Sequence, residues 1–255
     1  MPSSDTTESG TLRTETAAGV ATITFGHPKS NSLPGVLLGG LAGAVRAAGE
    51  NSDARVIVLR SEGSGPFCAG ASFDELKAIS DRESGKRFFM GFVNLILAMI
   101  RAQKFIVTRV HGKVVGGGVG IVAASDYAMA ADGASLKLSE LAVGLGPFIV
   151  GLPIQKKIGL AAFGAMAIDA DWRSADWGYR HGLFAELHPD VASLDAALDK
   201  RVATLASSNP EAVSQIKRVL WEGTEDWEGQ LEARAEMSGT LALSDFTSRA
   251  VGRTR

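Results

Sequence analysis

The sequence contains one cysteine, no basic stripe and no long apolar run free of glycine and proline, and each absence excludes a class of protein. The single cysteine, Cys68, excludes a disulfide framework within one chain and is typical of a reducing compartment. The net charge of −2, without clustered lysine or arginine, argues against a nucleic-acid partner. The longest apolar stretch, Leu141–Ile154, is interrupted by glycine and proline and is too short to span a bilayer. No histidine pair has metal-ligand spacing. We therefore expect a cytoplasmic protein without metal, membrane or nucleic-acid partners.

What the sequence does contain is an alternation of short β-rich runs and helical patterns over its first two-thirds. This order predicts an α/β fold with a mostly parallel sheet covered by helices. From Ser174 onward the patterns are largely helical. The predicted strands are Val20–Phe25, Val56–Leu59 and Phe105–Val110, the predicted helices include Leu33–Ala48 and Arg87–Arg101, and Ser80–Lys86 is predicted to be a charged loop.

The chain is long enough for one large domain, and no linker or internal repeat divides it. The polar start, MPSSDTTESG, predicts a disordered tail over residues 1–12 that is not a signal peptide. We expect an α/β core over residues 13–190 and a helical C-terminal region over residues 191–255, which acts as a cover or an oligomer contact.

A glycine cluster opens the segment Val114–Asp126, VVGGGVGIVAASD, which otherwise resembles a helix. Its glycine spacing does not fit the dinucleotide-binding fingerprint, and the chain contains no Gly-Lys-Ser/Thr triplet of a P-loop. Close packing of a helix on a strand would also explain the glycines. However, a second small-residue turn, Gly65–Ser72, also leads from a strand into a helix. Two such helix starts can direct free N–H groups at one oxygen and form an oxyanion hole.

Five segments carry a resemblance to a known family. They are HPKSNSL at His27–Leu33, the FCAGAS-x-x-E-L pattern at Phe67–Leu76, His111–Ala130 around the glycine cluster, SELAVGLGP at Ser139–Pro147 and Trp172–Leu187. In this order and spacing they resemble the crotonase family, also called the enoyl-CoA hydratase/isomerase superfamily, over nearly the whole chain. The resemblance implies a crotonase-like fold, a ββα spiral with a helical C-terminal trimerisation region. It also implies a homotrimer or hexamer, an acyl-CoA thioester substrate, and no cofactor beyond the coenzyme A of that substrate.

The resemblance also assigns roles to individual residues. The backbone N–H groups of Ala71 and Gly117 would hold the thioester oxygen, and Glu140 would transfer a proton. Without the resemblance, Glu140 would be interpreted as a solvated carboxylate beside a helix start. The residues expected to bind the coenzyme A portion are Lys29, Asn31, Ala69, Ala71 and Gly117.

Two positions depart from the family's hydratases and influence the expected reaction. Gly120 stands where those hydratases carry a first glutamate, and Phe148 stands where they keep a glycine. A single glutamate suits double-bond isomerisation, in which one base removes a proton and returns it elsewhere. Phe148 would narrow and dry the site. We expect isomerisation, with hydration or dehydration of an enoyl-CoA as the alternative. Hydrolysis, decarboxylation, or a silent family member that only binds acyl-CoA stay open.

Overall fold

The computed structural model describes residues 9–253, and within them the chain forms two sheets surrounded by helices. In the larger sheet, of six strands, only the first pair is antiparallel. The predicted α/β class with a mostly parallel sheet is therefore confirmed. The larger sheet has the order β1 (Thr11–Ala17), β2 (Val20–Gly26), β3 (Val56–Ser61), β4 (Ile106–Val110), β6 (Tyr127–Ala131) and β9 (Glu186–His188), and the smaller sheet has the order β5 (Val114–Val115), β7 (Ser135–Lys137) and β8 (Arg173–Ser174).

Helices cover both faces of the larger sheet. The helices are α1 (Gly35–Glu50), α2 (Phe73–Ala78), α3 (Arg82–Arg101), α4 (Gly117–Ala124), α5 (Phe148–Asp169), α6 (Ala175–Arg180), α7 (Val191–Ala206), α8 (Pro210–Leu220), α9 (Trp227–Ala242) and α10 (Asp245–Ala250), with a single 3-10 turn at Leu141–Val143. The main core joins α1, α3 and α4 to the sheet, whereas Leu194, Leu198 and Val202 of α7 pack on Val58 and Val107. Because helices cover both faces of the sheet, the side chains on both sides of the central strands are buried, and these strands are near-continuous apolar runs.

The start of the fold differs from the prediction. The expected tail over residues 1–12 falls partly on residues 1–8, which lie outside the described residues. Thr11 and Leu12, however, already belong to strand β1 and pair with Gly26 and Phe25. The alternation in β1 was not recognised because its residues are mostly exposed and polar, so no apolar period marks them.

Helix α3 begins earlier than predicted. It starts at Arg82, so most of the predicted loop Ser80–Lys86 is helical. The reason is a capping box. The Asp81 carboxylate accepts from the N–H of Ser84 at 2.7 Å, and the Ser84 hydroxyl oxygen accepts from the N–H of Asp81 at 3.2 Å. The prediction of a loop was wrong because the charged first turn is exposed and carries no apolar signal.

Helix α9 crosses α3 at very close range. A Cβ added at Gly85 would lie 2.9 Å from the Cα of Gly239, so two glycines allow the two backbones to touch. The C-terminal region therefore packs directly on the core helix that also reaches the sheet.

Helix α5 is long and apolar enough to meet the length and composition criteria for a membrane span. Its backbone is interrupted at Gly159, whose φ of 78° is not helical, and it contains Pro153. One helix of this kind is weak evidence for a membrane span, because core helices of other proteins meet the same criteria. Its first half carries buried residues that pack against the core, including Ile149, Val150 and Ile154.

Asp126 connects the end of α4 to the C-terminal helices. Its carboxylate forms a buried ion pair with Lys217 at 2.8 Å and accepts from the indole N–H of Trp221 at 2.7 Å. The same carboxylate accepts from the N–H of Ile106 at the start of β4. Asp126 thus has a structural role, because its carboxylate joins the end of α4 to the start of β4 and to α8.

Candidate active site

One pocket brings together both small-residue turns, Glu140 and a wall of aromatic and aliphatic side chains. It lies where the turn before α2 meets the start of α4. Such an apolar pocket with few polar groups is the usual form of a small-molecule site. Its lining includes Ala69, Gly70, Ala71, Phe73, Leu76, Phe89, Phe92, Gly116, Gly117, Ser139, Glu140, Leu145, Phe148, Val150 and Ser238.

The turn before α2 presents the N–H of Ala71 to the pocket. Ala71 forms a parallel bridge with Leu33, in which Leu33 donates to the carbonyl of Gly70 at 2.8 Å and Ser72 donates to the carbonyl of Leu33 at 3.2 Å. Because Leu33 bonds to the two neighbours of Ala71, the N–H and C=O of Ala71 itself point away from Leu33. Within the described part of the chain, the Ala71 N–H donates to no protein acceptor.

The glycine cluster presents the second N–H. Gly116 has φ 51° and ψ −118°, and its own N–H donates to Lys137 of β7 at 2.8 Å. Gly117 is the first residue of α4, where a helix has no internal acceptor for the N–H. A Cβ added at Gly70 would lie 3.6 Å from the nitrogen of Gly117, so the two turns are in contact.

Glu140 lies beside this pair of turns. A Cβ added at Gly116 would lie 3.2 Å from its Oε1, which places the carboxyl next to the start of α4. The residue is partly exposed as a whole, yet its Oε2 is buried and has no hydrogen-bond partner among the described residues. Burial raises the pKa of Glu140 to about 7, and the N–H groups of Ser139 and of Glu140 itself only partly oppose this.

This burial predicts a pH-dependent effect of removing the charge. Because the pKa of Glu140 is higher in the folded chain than in the unfolded chain, the folded state loses stability as the pH rises from about 4.5 to about 7. Glu140→Gln should therefore unfold at a higher denaturant concentration than the parent at pH 8. The difference should shrink as the pH falls toward 4.5, because the carboxyl of the folded parent is then protonated and carries no buried charge. Urea titrations at the two pH values test this, and an equal difference at both would contradict it.

The packing around Gly120 explains why this helix position has no side chain. A Cβ at Gly120 would lie 2.4 Å from Cγ1 and 2.6 Å from Cβ of Val150 on α5. Val150 thus occupies the space that any side chain at position 120 would need. Among the described residues that line the pocket, Glu140 is consequently the only one with a carboxylate.

Gly120→Ala should therefore destabilise the protein. Alanine gains up to about 1 kcal/mol in helix propensity, but overpacking against Val150 costs about 1–3 kcal/mol. The matched double variant Gly120→Ala/Val150→Gly removes the clash, and we expect it to show favourable coupling between the two sites. Urea unfolding of the single and double variants measures the coupling, and strict additivity would argue against the contact.

The rings of Phe92 and Phe148 form part of the pocket wall, and each packs against a glycine. A Cβ at Gly117 would lie 2.2 Å from Cε1 of Phe92, and one at Gly146 would lie 2.3 Å from Cζ of Phe148. Phe148 lines the pocket as expected, and its carbonyl accepts from Arg234 of α9 at 2.9 Å. Both rings line the same pocket as Glu140 and make its walls more apolar.

Cys68 packs behind the site. It is fully buried, and burial raises the pKa of its thiol to about 12, so it is not a nucleophile here. Its Cβ would lie 2.8 Å from a Cβ added at Gly118, which makes it a spacer between the two turns.

Of the residues predicted to bind the coenzyme A portion, Ala69, Ala71 and Gly117 line the pocket, whereas Lys29 and Asn31 do not. Ala69 lines the pocket, and its N–H donates to Ser30. Lys29 is exposed and paired with Asp74. Both amide hydrogens of Asn31 are used, on the carbonyls of Glu62 and Pro66, so the Asn31 side chain shapes the loop. The Asn31 side-chain oxygen accepts from the N–H of His27 at 2.9 Å, and the Asn31 N–H donates to the carbonyl of His27 at 2.9 Å. These roles stay predictions.

Sequence reasoning did not assign Val150 or Ser238 to the pocket. Val150 belongs to an apolar stretch, and Ser238 lies on α9, 121 residues after Gly117. No local pattern marks either one, because only the packing of α5 and α9 brings them to the site.

Solved structures share this arrangement of sheets and helices. The chain superposes on an enoyl-CoA hydratase from Mycobacterium avium with a TM-score of 0.83 and 26% identity, covering 94% of this chain and 93% of that one. An enoyl-CoA hydratase from Bacillus halodurans gives a TM-score of 0.87 at 20% identity, covering 95% and 99%. The protein therefore has the crotonase fold.

The sequence comparison is more specific. The model of the family described as enoyl-CoA hydratase/isomerase matches residues 15–249, and the chain belongs to that family. A Mycobacterium tuberculosis protein named (7aS)-7a-methyl-1,5-dioxo-2,3,5,6,7,7a-hexahydro-1H-indene-carboxyl-CoA hydrolase is 30% identical over 79% of this chain and 80% of its own. A Rhodobacter capsulatus protein named probable enoyl-CoA hydratase is 29% identical over 92% and 91%. The resemblance to the crotonase family is thus confirmed.

Proposed function

We propose that this chain moves the double bond of an enoyl-CoA, with Glu140 as the only acid–base group. The observation that carries the proposal is the buried Glu140 carboxyl beside two unpaired N–H groups, with Val150 in the place of any second carboxylate. No cofactor is needed beyond the coenzyme A of the substrate.

The proposed reaction starts with the thioester oxygen between the N–H groups of Ala71 and Gly117. These donors, with the N-terminus of α4, stabilise negative charge that develops on that oxygen. Glu140 removes a proton from the carbon next to the thioester of a 3-enoyl-CoA, and the C–H electrons form a dienolate. Glu140 then returns the proton to the far carbon, and the double bond moves into conjugation.

The burial of Glu140 suits both halves of this transfer. A carboxyl with a pKa of about 7 is a stronger base than an ordinary glutamate and gives its proton back readily near neutral pH. The apolar walls around it exclude the water that would otherwise quench the carbanion.

The products distinguish this proposal from its alternatives. Isomerisation of a 3-enoyl-CoA increases the absorbance of the conjugated thioester, whereas hydration of a 2-enoyl-CoA removes it. The hydrolase name of the Mycobacterium tuberculosis relative favours hydrolysis as a second candidate, which would release free coenzyme A thiol if the thioester is cleaved. Assays of all three signals with the purified chain decide between them. No signal together with tight acyl-CoA binding would identify a silent family member.

We further propose that the chain assembles as a homotrimer or a pair of trimers. Large apolar side chains are exposed on the second half of α5 and on α8, with Leu160 at 68%, Ile168 at 76% and Val219 at 68%. Exposed large apolar side chains on these helices provide apolar surface that a protein interface could bury. Light scattering should give three or six times the mass of one chain, and a monomer would contradict the proposal.

A further inference from the structure

The last helix of the described chain supports the turn that carries Glu140. Thr247 of α10 donates its hydroxyl hydrogen to the carbonyl of Gly144 at 3.3 Å. A Cβ added at Gly144 would lie 2.5 Å from Cδ1 of Phe246, so that ring rests on the Gly144 backbone. Gly144 ends the 3-10 turn after Glu140 with a φ of 78°, a conformation that glycine adopts without strain.

The turn is closed by its own hydrogen bonds as well. The N–H of Leu145 donates to the carbonyl of Glu140 at 2.9 Å, and the N–H of Gly144 donates to Leu141 at 3.1 Å. Contacts from α10 at Gly144 therefore reach the Glu140 backbone through a single closed turn.

The segment after α10 contacts helix α2, which also lines the pocket. Nη2 of Arg253 donates to the carbonyl of Leu76 on α2 at 2.7 Å, and Nη1 donates to Ala242 at the end of α9 at 3.3 Å. Its Nε is buried, although the residue as a whole is partly exposed. Leu76 and Phe73 of α2 line the same pocket as Glu140.

We propose that residues 244–253, here called the C-terminal strap, fix the Glu140 turn relative to α2 and thereby position the carboxyl for proton transfer. Thr247 and Arg253 are its positioning residues, because they act through the Gly144 and Leu76 backbones and lie outside the pocket lining. The inference rests on the proposed function only for its effect on rate. Its effect on the environment of Glu140 follows from the contacts alone.

The test compares two arginines of the same segment in the full-length chain. Arg253→Met removes both carbonyl contacts, whereas Arg249→Met changes an exposed arginine of α10 and serves as the matched control. Small misplacements of a catalytic group lower rates strongly, so Arg253→Met should lower kcat for isomerisation by about tenfold with little change in KM. Thr247→Val should act in the same direction, and it keeps the test informative if Arg253→Met does not fold.

A second measurement reports on the strap without any turnover. In protein labelled with carboxyl-13C glutamate, the Glu140 signal can be titrated by NMR and assigned by its loss in Glu140→Gln. Loosening the strap admits water to the carboxyl, so its pKa should move from about 7 toward that of an ordinary glutamate in Arg253→Met and Thr247→Val. It should stay at the parent value in Arg249→Met.

The two measurements separate the two proposals. If the parent isomerises its substrate but neither strap variant changes kcat or the Glu140 titration, the strap proposal is overturned and the proposed function stands. If the parent has no isomerase activity but the titration moves as expected, the strap is supported and the proposed function fails. A titration that moves equally in Arg249→Met would also overturn the strap.

Discussion

Replacing Glu140 by glutamine is expected to lower kcat for isomerisation by about 10²- to 10⁴-fold, the usual contribution of a general acid–base group. Glutamine has the same shape but cannot accept the proton, so KM should change little. Stopped or continuous assays of the conjugated thioester measure both constants. Glu222→Gln, at an exposed position remote from the pocket lining, is the matched control and should match the parent.

The pH profile adds a second criterion for Glu140. Because the base must be deprotonated to act, kcat/KM of the parent should decline as the pH falls below about 7, the pKa of the buried carboxyl. The residual activity of Glu140→Gln should lack this decline. A rate for Glu140→Gln equal to the parent would remove Glu140 from the mechanism, whatever the profile shows.

Lys217→Met is expected to destabilise the fold by about 3–5 kcal/mol, the range seen when one partner of a buried ion pair is removed. The side chains of Lys217 and Asp126 are each only 2% exposed. The Lys217 ammonium also donates to the carbonyls of Met99 and Lys104 at 2.8 and 2.9 Å. Methionine would leave these two oxygens and the Asp126 carboxylate without their cation.

Urea unfolding at pH 7 measures this loss. Lys200→Met, on the exposed side of α7, is the control and should change stability little. The double variant Lys217→Met/Asp126→Asn removes the isolated charge and should recover part of the loss, since the two sites are in direct contact. A loss below about 1 kcal/mol in the single variant would be typical of exposed ion pairs and would contradict the buried role.

The sequence predicted those parts of the site that depend on local pattern. The two small-residue turns indicated two N–H groups near one point, whereas Ala71, Gly117 and Glu140 were assigned to one site by the resemblance to the crotonase family. The structure brings all three residues to one pocket. Whether they act as predicted is a question for the experiments above.

Features that depend on distant packing were not predictable in this way. Val150 meets Gly120, and Arg253 meets Leu76, only after α5 and the chain end have folded onto the core. The early start of α3 was missed for a different reason, because the Asp81 and Ser84 capping box has polar residues where an apolar period was sought. The hydrogen bonds of this capping box therefore set the first residue of α3.

The N–H groups of Ala71 and Gly117 belong to the main chain, which affects how far the sequence around the pocket can change. A donor that every amino acid except proline supplies survives most mutations, provided that the turn keeps its shape. The fold itself tolerates wide sequence change, since the chain superposes on the one from Bacillus halodurans with a TM-score of 0.87 at 20% identity. If these two N–H groups bind the thioester oxygen as proposed, side chains around the pocket can change the reaction while the backbone donors stay the same.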